Sequence, residues 1–278
     1  MISTKLEILQ SLNKYGFCKI HISDLSELEP LYKDNHDFMN RVVRHDEIVR
    51  RAELLKKGTP VRDRTKYFEF QNAQLLGEGL SLKNSPVLDF YLHDTFLDIA
   101  ESYLQTNEVR VRNCLAFYHP QNPFPPANSQ NWHRDTEDTK ILKVFVYYND
   151  VEEKNGSLWY TKNSKHGSKN DSIWPNVGKA KHGYLDLESV MKIPYNDIVK
   201  LEGKAGTICF FDANGFHKGG SVVEGERIST HCCYIRSDAP HIVNNVLPNF
   251  EYNESVNTID RSSAKYLSLS DRQKKVLQ

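Results

Sequence analysis

A train of short strand-like runs fills the second half of the chain, and it restricts the fold more than any other feature. Val109, Val111, Asn113, Leu115 and Phe117 alternate with more polar neighbours, the period-2 pattern of a half-buried strand. Ile141 to Tyr148 is β-branched and aromatic with no breaker. Ser157 to Tyr160, Ile198 to Leu201, Thr207 to Phe211, Ser221 to Val223 and Arg227 to Ile235 follow, with glycine-containing turns between them, Lys154-Asn155-Gly156 being the clearest. Strands this short bury a face only by stacking into sheets. Their spacing of roughly ten residues points to two antiparallel sheets packed as a sandwich or jelly roll.

The first part of the chain has a different texture. Ile2, Leu6, Ile8, Leu9 and Leu12 recur at helical spacing up to Tyr15-Gly16, and Phe17 to Ile22 then alternates as a short strand. Leu25 to about Lys57 is helical and heavily charged, and Pro86 to Leu104 reads as one or two further helices. Helices followed by many strands give a mainly β fold with flanking helices. No repeat or linker divides it, so one domain is expected over 1–278: a helical part at about 1–108, a β core at about 109–236 and a polar C-terminal tail at about 253–278.

The 36 basic and 36 acidic side chains cancel, so no overall field favours nucleic acid or an anionic membrane, and a small-molecule partner is the expectation. No apolar run approaches the roughly 20 residues that span a bilayer. Cys18, Cys114, Cys209, Cys232 and Cys233 are odd in number and contain no CxxC, which fits reduced thiols and a cytoplasmic location.

The chemistry concentrates at Trp132-His133-Arg134-Asp135. In extended backbone, side chains two apart share a side, so His133 and Asp135 can converge on one ion. Imidazole plus carboxylate suits a borderline divalent metal, and a second imidazole completes the two-histidine, one-carboxylate set that leaves coordination positions open for small ligands. His217, after the strand Ile208 to Asp212 and the loop Ala213-Asn214-Gly215, is the candidate. His45-Asp46-Glu47 offers a similar spacing, but in a charged helical stretch its outer residues diverge, so a solvated surface is expected there.

Arg227 lies ten residues beyond His217, at the start of the next strand, and shares a face with Ser229 by period 2. An arginine facing into a sandwich needs an anionic partner. Either Glu224 or Glu226 on the turn takes that role, or a dicarboxylic co-substrate does, one end on the metal and the other on the guanidinium fork, with a hydrogen bond from Ser229.

The order WHxD at Trp132 to Asp135, Asn149-Asp150, Asn155-Gly156-Ser157-Leu158, Ser164-Lys165-His166, Gly206-Thr207, His217 and Arg227 resembles the phytanoyl-CoA dioxygenase family, as does Leu12 to Phe17. The resemblance runs from about residue 6 to 236. It implies a double-stranded β-helix (jelly-roll, cupin-like) core, with Fe(II) on His133, Asp135 and His217 and 2-oxoglutarate as co-substrate beside dioxygen. It also implies that Arg227 grips the distal carboxylate, with Ser229 as helper and Asn113 at a co-substrate contact. His166 falls in a Gly-Ser-His-like loop of the family and is read as structural. Phe145 stands where many relatives carry tryptophan. Halogenating relatives lack the carboxylate, so Asp135 favours hydroxylation, here of a small polar metabolite with release of succinate and CO2. Two other readings remain: a jelly-roll ligand- or sugar-binding module with a vestigial metal site, and a cupin-like metal-dependent isomerase. For the surroundings, the basic stretch Arg41 to Lys66 is expected to be a solvated helix face, the polar loop Lys162 to Lys181 is a candidate lid, and Tyr118 and His119 are candidates for the entrance.

Overall fold

The computed structural model of the protein describes residues 2–59, 68–69, 86–126, 128–174, 183–239 and 264–277. Helix α1 (Ile2–Tyr15) buries Ile8 and Leu12 and stops at Gly16, whose φ of +88° breaks the helical path. Strand β1 (Phe17–His21) follows directly, then a 3-10 segment and the helices α2 (Glu29–Val43) and α3 (Asp46–Lys56). A two-residue strand β2 (Phe68–Glu69) precedes α4 (Pro86–Tyr91) and α5 (Asp94–Leu104). The core strands are β3 (Val109–Pro120), β4 (Leu142–Tyr147), β5 (Leu158–Thr161), β6 (Ile198–Leu201), β7 (Thr207–Asp212), β8 (His217–Gly219) and β9 (Glu226–Arg236). A short helix, α6 (Leu187–Met191), lies between β5 and β6, and α7 (Ala264–Ser268) and α8 (Asp271–Val276) end the described chain.

Two antiparallel sheets result, a six-stranded one in the order β1-β7-β4-β9-β3-β2 and a three-stranded one in the order β6-β5-β8. Period-2 alternation sorts the large sheet into two faces. Val144 and Val146 of β4, Ile208 and Phe210 of β7 and Cys232 and Tyr234 of β9 join α1, α2, α4 and α5 in one apolar cluster. The opposite face carries Tyr147, Cys209, Phe211, Cys233 and Ile235, which pack on Leu158, Tyr160 and Leu201 of the small sheet. Each of the larger aliphatic or aromatic side chains buried this way contributes about 1.5–3 kcal/mol, so a one-residue slip in any central strand is heavily penalised. The mainly β fold with flanking helices is thus as expected, and its jelly-roll sandwich is open rather than a closed barrel.

Covering is uneven between the sheets. On β4 the helix-side residues Leu142, Val144 and Val146 are buried, whereas the inward Lys143 and Phe145 are only partly covered. Space therefore remains between the sheets at this end. Asp212, at the end of β7, fixes the backbone around it: its carboxylate accepts from the Tyr103 hydroxyl (2.6 Å), the Ile141 amide (3.1 Å) and the Asn214 amide (3.0 Å). Burial pushes this carboxyl up against the pull of those donors. Asn214 in turn donates to the carbonyls of Asp135 (3.2 Å) and Asp138 (3.0 Å). One buried acid thus ties α5, the entry to β4 and the loop before β8 into a single piece.

One expectation needs correction. Ser221 to Val223 is not a strand: Val222 makes only an isolated bridge to Asn155, and the strand after β7 is His217–Gly219. Close approach of Gly220 to the Gly156 turn ends pairing there, with the Gly220 amide donating to the Ser157 carbonyl at 2.9 Å. The C-terminal stretch is helical where described. Arg272 on α8 pairs with Asp94, Asp98 and Glu101 of α5, and Val276 and Leu277 are buried, which docks that helix on the domain.

Gly156 is the turn position with the least freedom: its φ is +80°, and a Cβ there would sit 2.6 Å from the Gly220 carbonyl oxygen. Gly156→Ala is expected to destabilise the fold by about 2 kcal/mol or more, combining left-handed strain with a backbone clash. Denaturant unfolding measures this; an unchanged midpoint would contradict the packing of the β5 turn against residues 219–220.

Candidate metal centre

The WHxD segment is extended and lies along the edge of the small sheet. The His133 amide donates to the His217 carbonyl (3.0 Å) and the His217 amide to the His133 carbonyl (2.8 Å), while the Asp135 amide donates to Ala213 (2.8 Å). Alternation then sends His133 and Asp135 to one side and Arg134 to the other. Arg134 is fully buried, donates to Asp171 (2.8 Å) and to the Ser164 carbonyl (2.9 Å), and lies 4.6 Å over the Phe216 ring. It anchors the motif from behind.

In front, one ligand atom each from His133, Asp135 and His217 lie within 4.8 Å of one another, the only group of this kind among the described residues. His133 Nε2 is 3.9 Å from Asp135 Oδ1, and the two imidazole centroids are 4.1 Å apart. Each ring uses Nδ1 on a carbonyl two residues back, His133 on Asn131 (2.8 Å) and His217 on Gly215 (2.9 Å). With Nδ1 as donor, both Nε2 lone pairs face the shared space. Burial pushes both imidazoles down, and the His133 ring adds to the effect on His217, so both are neutral near pH 7. For Asp135, burial works upward, but Lys143, His217, His133 and Arg112 outweigh it and the carboxyl ends low. Two neutral nitrogens and one anionic oxygen form a donor set that fits a borderline divalent ion.

The facing surface is the inner face of the large sheet. Lys143 on β4 makes a direct ion pair with Asp135 Oδ2, and Arg112, at the bulge in β3, pairs with the buried Glu137 at 2.5 Å. Along β9, register places Arg227 beside His119, Ser229 between Phe117 and Tyr147, His231 between Leu115 and Phe145, and Cys233 between Asn113 and Lys143. Arg227 is only 4% exposed, donates to the Gly156 carbonyl and lies against Gly219, two residues past His217. The turn acids have other partners: Glu224 pairs with Lys154 and Glu226 accepts from the Tyr118 hydroxyl. Asn113 Oδ1, Ser229 Oγ and both ring nitrogens of His231 are buried without a hydrogen-bond partner among the described residues. Each such group costs about 1–3 kcal/mol until something polar reaches it. A polar floor therefore runs from the triad toward Arg227.

Sequence reasoning overlooked Lys143 and His231. Both had a signal: Lys143 interrupts an apolar run, and His231 continues the period of Arg227 and Ser229. Other candidates fall elsewhere. Tyr118 belongs to the helix-packed face, and His119 is buried beside Arg227, so neither forms an entrance. The residue at the rim is Tyr184, 40% exposed, with its ring 5.6 Å from that of His133. His45 caps α3, accepting from the Glu47 amide, and takes no part in the triad. His166 pairs with Asp171 and its amide donates to Asn214. In the stretch Arg41 to Lys66, Arg50 and Arg51 pair with Glu47 and Lys56 with Glu53, the behaviour of a solvated helix face; Arg62, Arg64 and Lys66 lie outside the described residues. The candidate lid Lys162 to Lys181 is fastened where described: Ser164 and Asn170 are buried, and Arg134 holds Asp171. Its residues 175–181 lie outside the described ones.

Solved structures share the fold. The epimerase SnoN in complex with Fe3+, alpha ketoglutarate and nogalamycin RO aligns at 14% identity over 90% of this chain and 92% of that one, with a TM-score of 0.57. EctD from S. alaskensis with 2-oxoglutarate and 5-hydroxyectoine aligns at 19% identity over 83% and 76%, with a TM-score of 0.54. HygX from Streptomyces hygroscopicus with nickel, 2-oxoglutarate and hygromycin B aligns at 13% identity over 84% and 87%, with a TM-score of 0.51. No curated protein matches the sequence. No helix among the described residues is long and apolar enough to cross a membrane. The family model for phytanoyl-CoA dioxygenase matches residues 37–227, a span that takes in the WHxD segment, His217 and Arg227, and the chain belongs to that family.

Proposed function

We propose that the protein is an Fe(II)- and 2-oxoglutarate-dependent dioxygenase that hydroxylates a small polar metabolite and releases succinate and CO2. The observation that carries this reading is the convergence of His133, Asp135 and His217 within 4.8 Å, opposite a polar floor that leads to the buried Arg227. His133, Asp135 and His217 would hold the iron, and their side chains leave the remaining coordination positions to small ligands. The orphaned polar atoms of Ser229 and Asn113 and the guanidinium of Arg227 fit a dicarboxylate lying along the floor. When bound, iron and 2-oxoglutarate supply the activation of dioxygen for attack on a substrate C–H bond.

The protein's own contribution is positional. Arg227 fixes the far end of the co-substrate, with Ser229 and Asn113 orienting it from the floor. Phe145 and Phe211, packed edge to face at 5.4 Å with the Phe211 ring 5.2 Å from that of His217, keep water from the metal side. Tyr184 stands where a substrate would enter. Asp135 occupies the carboxylate position that halogenating relatives lack, which supports hydroxylation. A vestigial binding module would not need the complete triad, and a co-substrate-free isomerase gives Arg227 no task. The SnoN likeness, to an epimerase, makes identification of the product part of the test.

Screening polar metabolites for stimulated succinate release, with product analysis, identifies the substrate. Under anaerobic conditions Fe(II) and 2-oxoglutarate are expected to give a weak visible band at about 520 nm. Asp135→Ala is expected to abolish both the band and substrate-coupled succinate; retention of either rules out the triad. Arg227→Ala is expected to raise the apparent KM for 2-oxoglutarate by about tenfold or more, as for loss of one partner of a buried charged pair. An unchanged KM would give the arginine another task.

A further inference from the structure

The ion pair between Lys143 and Asp135 has no role in the reading above. Lys143 lies between Leu142 and Val144 in the largely apolar strand β4, at an inward position flanked in register by Phe211 and Cys233. Its side chain is 12% exposed, and its ammonium meets Asp135 Oδ2 while Asp135 Oδ1 is the oxygen that faces His133 Nε2. The neighbouring acid, Glu137, is taken by Arg112. A buried ammonium loses several kcal/mol of hydration, which an aliphatic residue at this position would avoid. Its placement therefore depends on what it does to Asp135.

Two effects are possible, and they have opposite signs. An ammonium on a metal-binding carboxylate can compete with the ion for it, so that removing the lysine strengthens metal binding. Alternatively it can occupy one oxygen and fix the rotamer, so that the other oxygen is presented ready-made, and removing it weakens metal binding. The geometry favours the second: the two oxygens are divided, Oδ2 in ion-pair contact with Lys143 though without a hydrogen bond among the described residues, and Oδ1 toward His133 Nε2, while the Asp135 backbone is independently held by Ala213 and Asn214.

We propose that Lys143 is a positioning residue of the metal centre, holding Asp135 through Oδ2 so that Oδ1 serves as a single, oriented donor to the ion. The inference rests on His133, Asp135 and His217 being the metal ligands. It assigns to a residue on the opposite sheet the role usually taken by a hydrogen-bonding neighbour of a ligating side chain.

The test is Co(II) affinity of the full chain by anaerobic titration calorimetry, without co-substrate or turnover, for wild type, Lys143→Met, Lys143→Gln and Asp135→Ala. Lys143→Met is expected to bind Co(II) about 10–100-fold more weakly. Lys143→Gln keeps a donor for Oδ2 without the charge and is expected to recover part of the loss. Equal or tighter binding in Lys143→Met overturns the proposal in favour of competition. Circular dichroism checks folding; if Lys143→Met does not fold, the glutamine variant decides, weaker binding than wild type supporting the proposal and equal or tighter binding overturning it. Failure of the metal-centre reading looks different: wild type would not bind Co(II), or Asp135→Ala would bind it as well as wild type.

Discussion

The site depends on one reciprocal pair of backbone hydrogen bonds, between His133 and His217. Residues far apart in the sequence become direct strand neighbours, and the pleat sends both imidazoles to the same side. Asp135 follows because it is two residues from His133, and its amide is held by Ala213. The triad is thus a product of strand register. Anything that shifts β8 against the WHxD segment by one residue turns one of the three side chains to the wrong face. That explains the heavy fastening behind it: Asp212 ties the loop before β8 to α5, Asn214 ties the same loop to Asp135, and Arg134 ties the motif to the 162–174 segment.

The large sheet serves two purposes through its two faces. The helix-packed face is apolar and supplies stability, while the inner face carries Arg112, Lys143, Arg227, Ser229, His231 and Asn113. Buried polar and charged groups of this density oppose folding unless paired. Arg112 and Lys143 are paired within the protein, by Glu137 and Asp135, whereas Ser229, His231 and Asn113 have atoms that a ligand can satisfy. The inner face therefore carries polar atoms without partners among the described residues, and the helices on the other side provide the stability that this requires.

Much of this was legible from residue order. The alternation of β3 and β9, the unbroken run of β4 and the turn at Gly156 placed the core strands within a residue or two, and WHxD with His217 and Arg227 marked the site. Short elements were harder: β8 has three residues, and the Gly219-Gly220 step leaves no periodic pattern from which to tell it from Ser221 to Val223. The alternating run Val109 to Phe117 does not keep one face, because the bulge between Val111 and Asn113 switches which alternate residues face inward, and Tyr118, next to the inward His119, therefore faces the helices. Lys143 was passed over because an isolated lysine in an apolar strand carries no motif. Its meaning comes from Asp135, on the other side of the sandwich.

The central claim is that one ion sits among His133, Asp135 and His217. Anomalous diffraction from crystals grown anaerobically with Fe(II) and 2-oxoglutarate tests it most directly. The account predicts a single strong peak about 2.0–2.3 Å from both Nε2 atoms and from one Asp135 oxygen, with a dicarboxylate running from it to Arg227. A peak elsewhere, or three side chains that fail to share one ion at full iron loading, would contradict it.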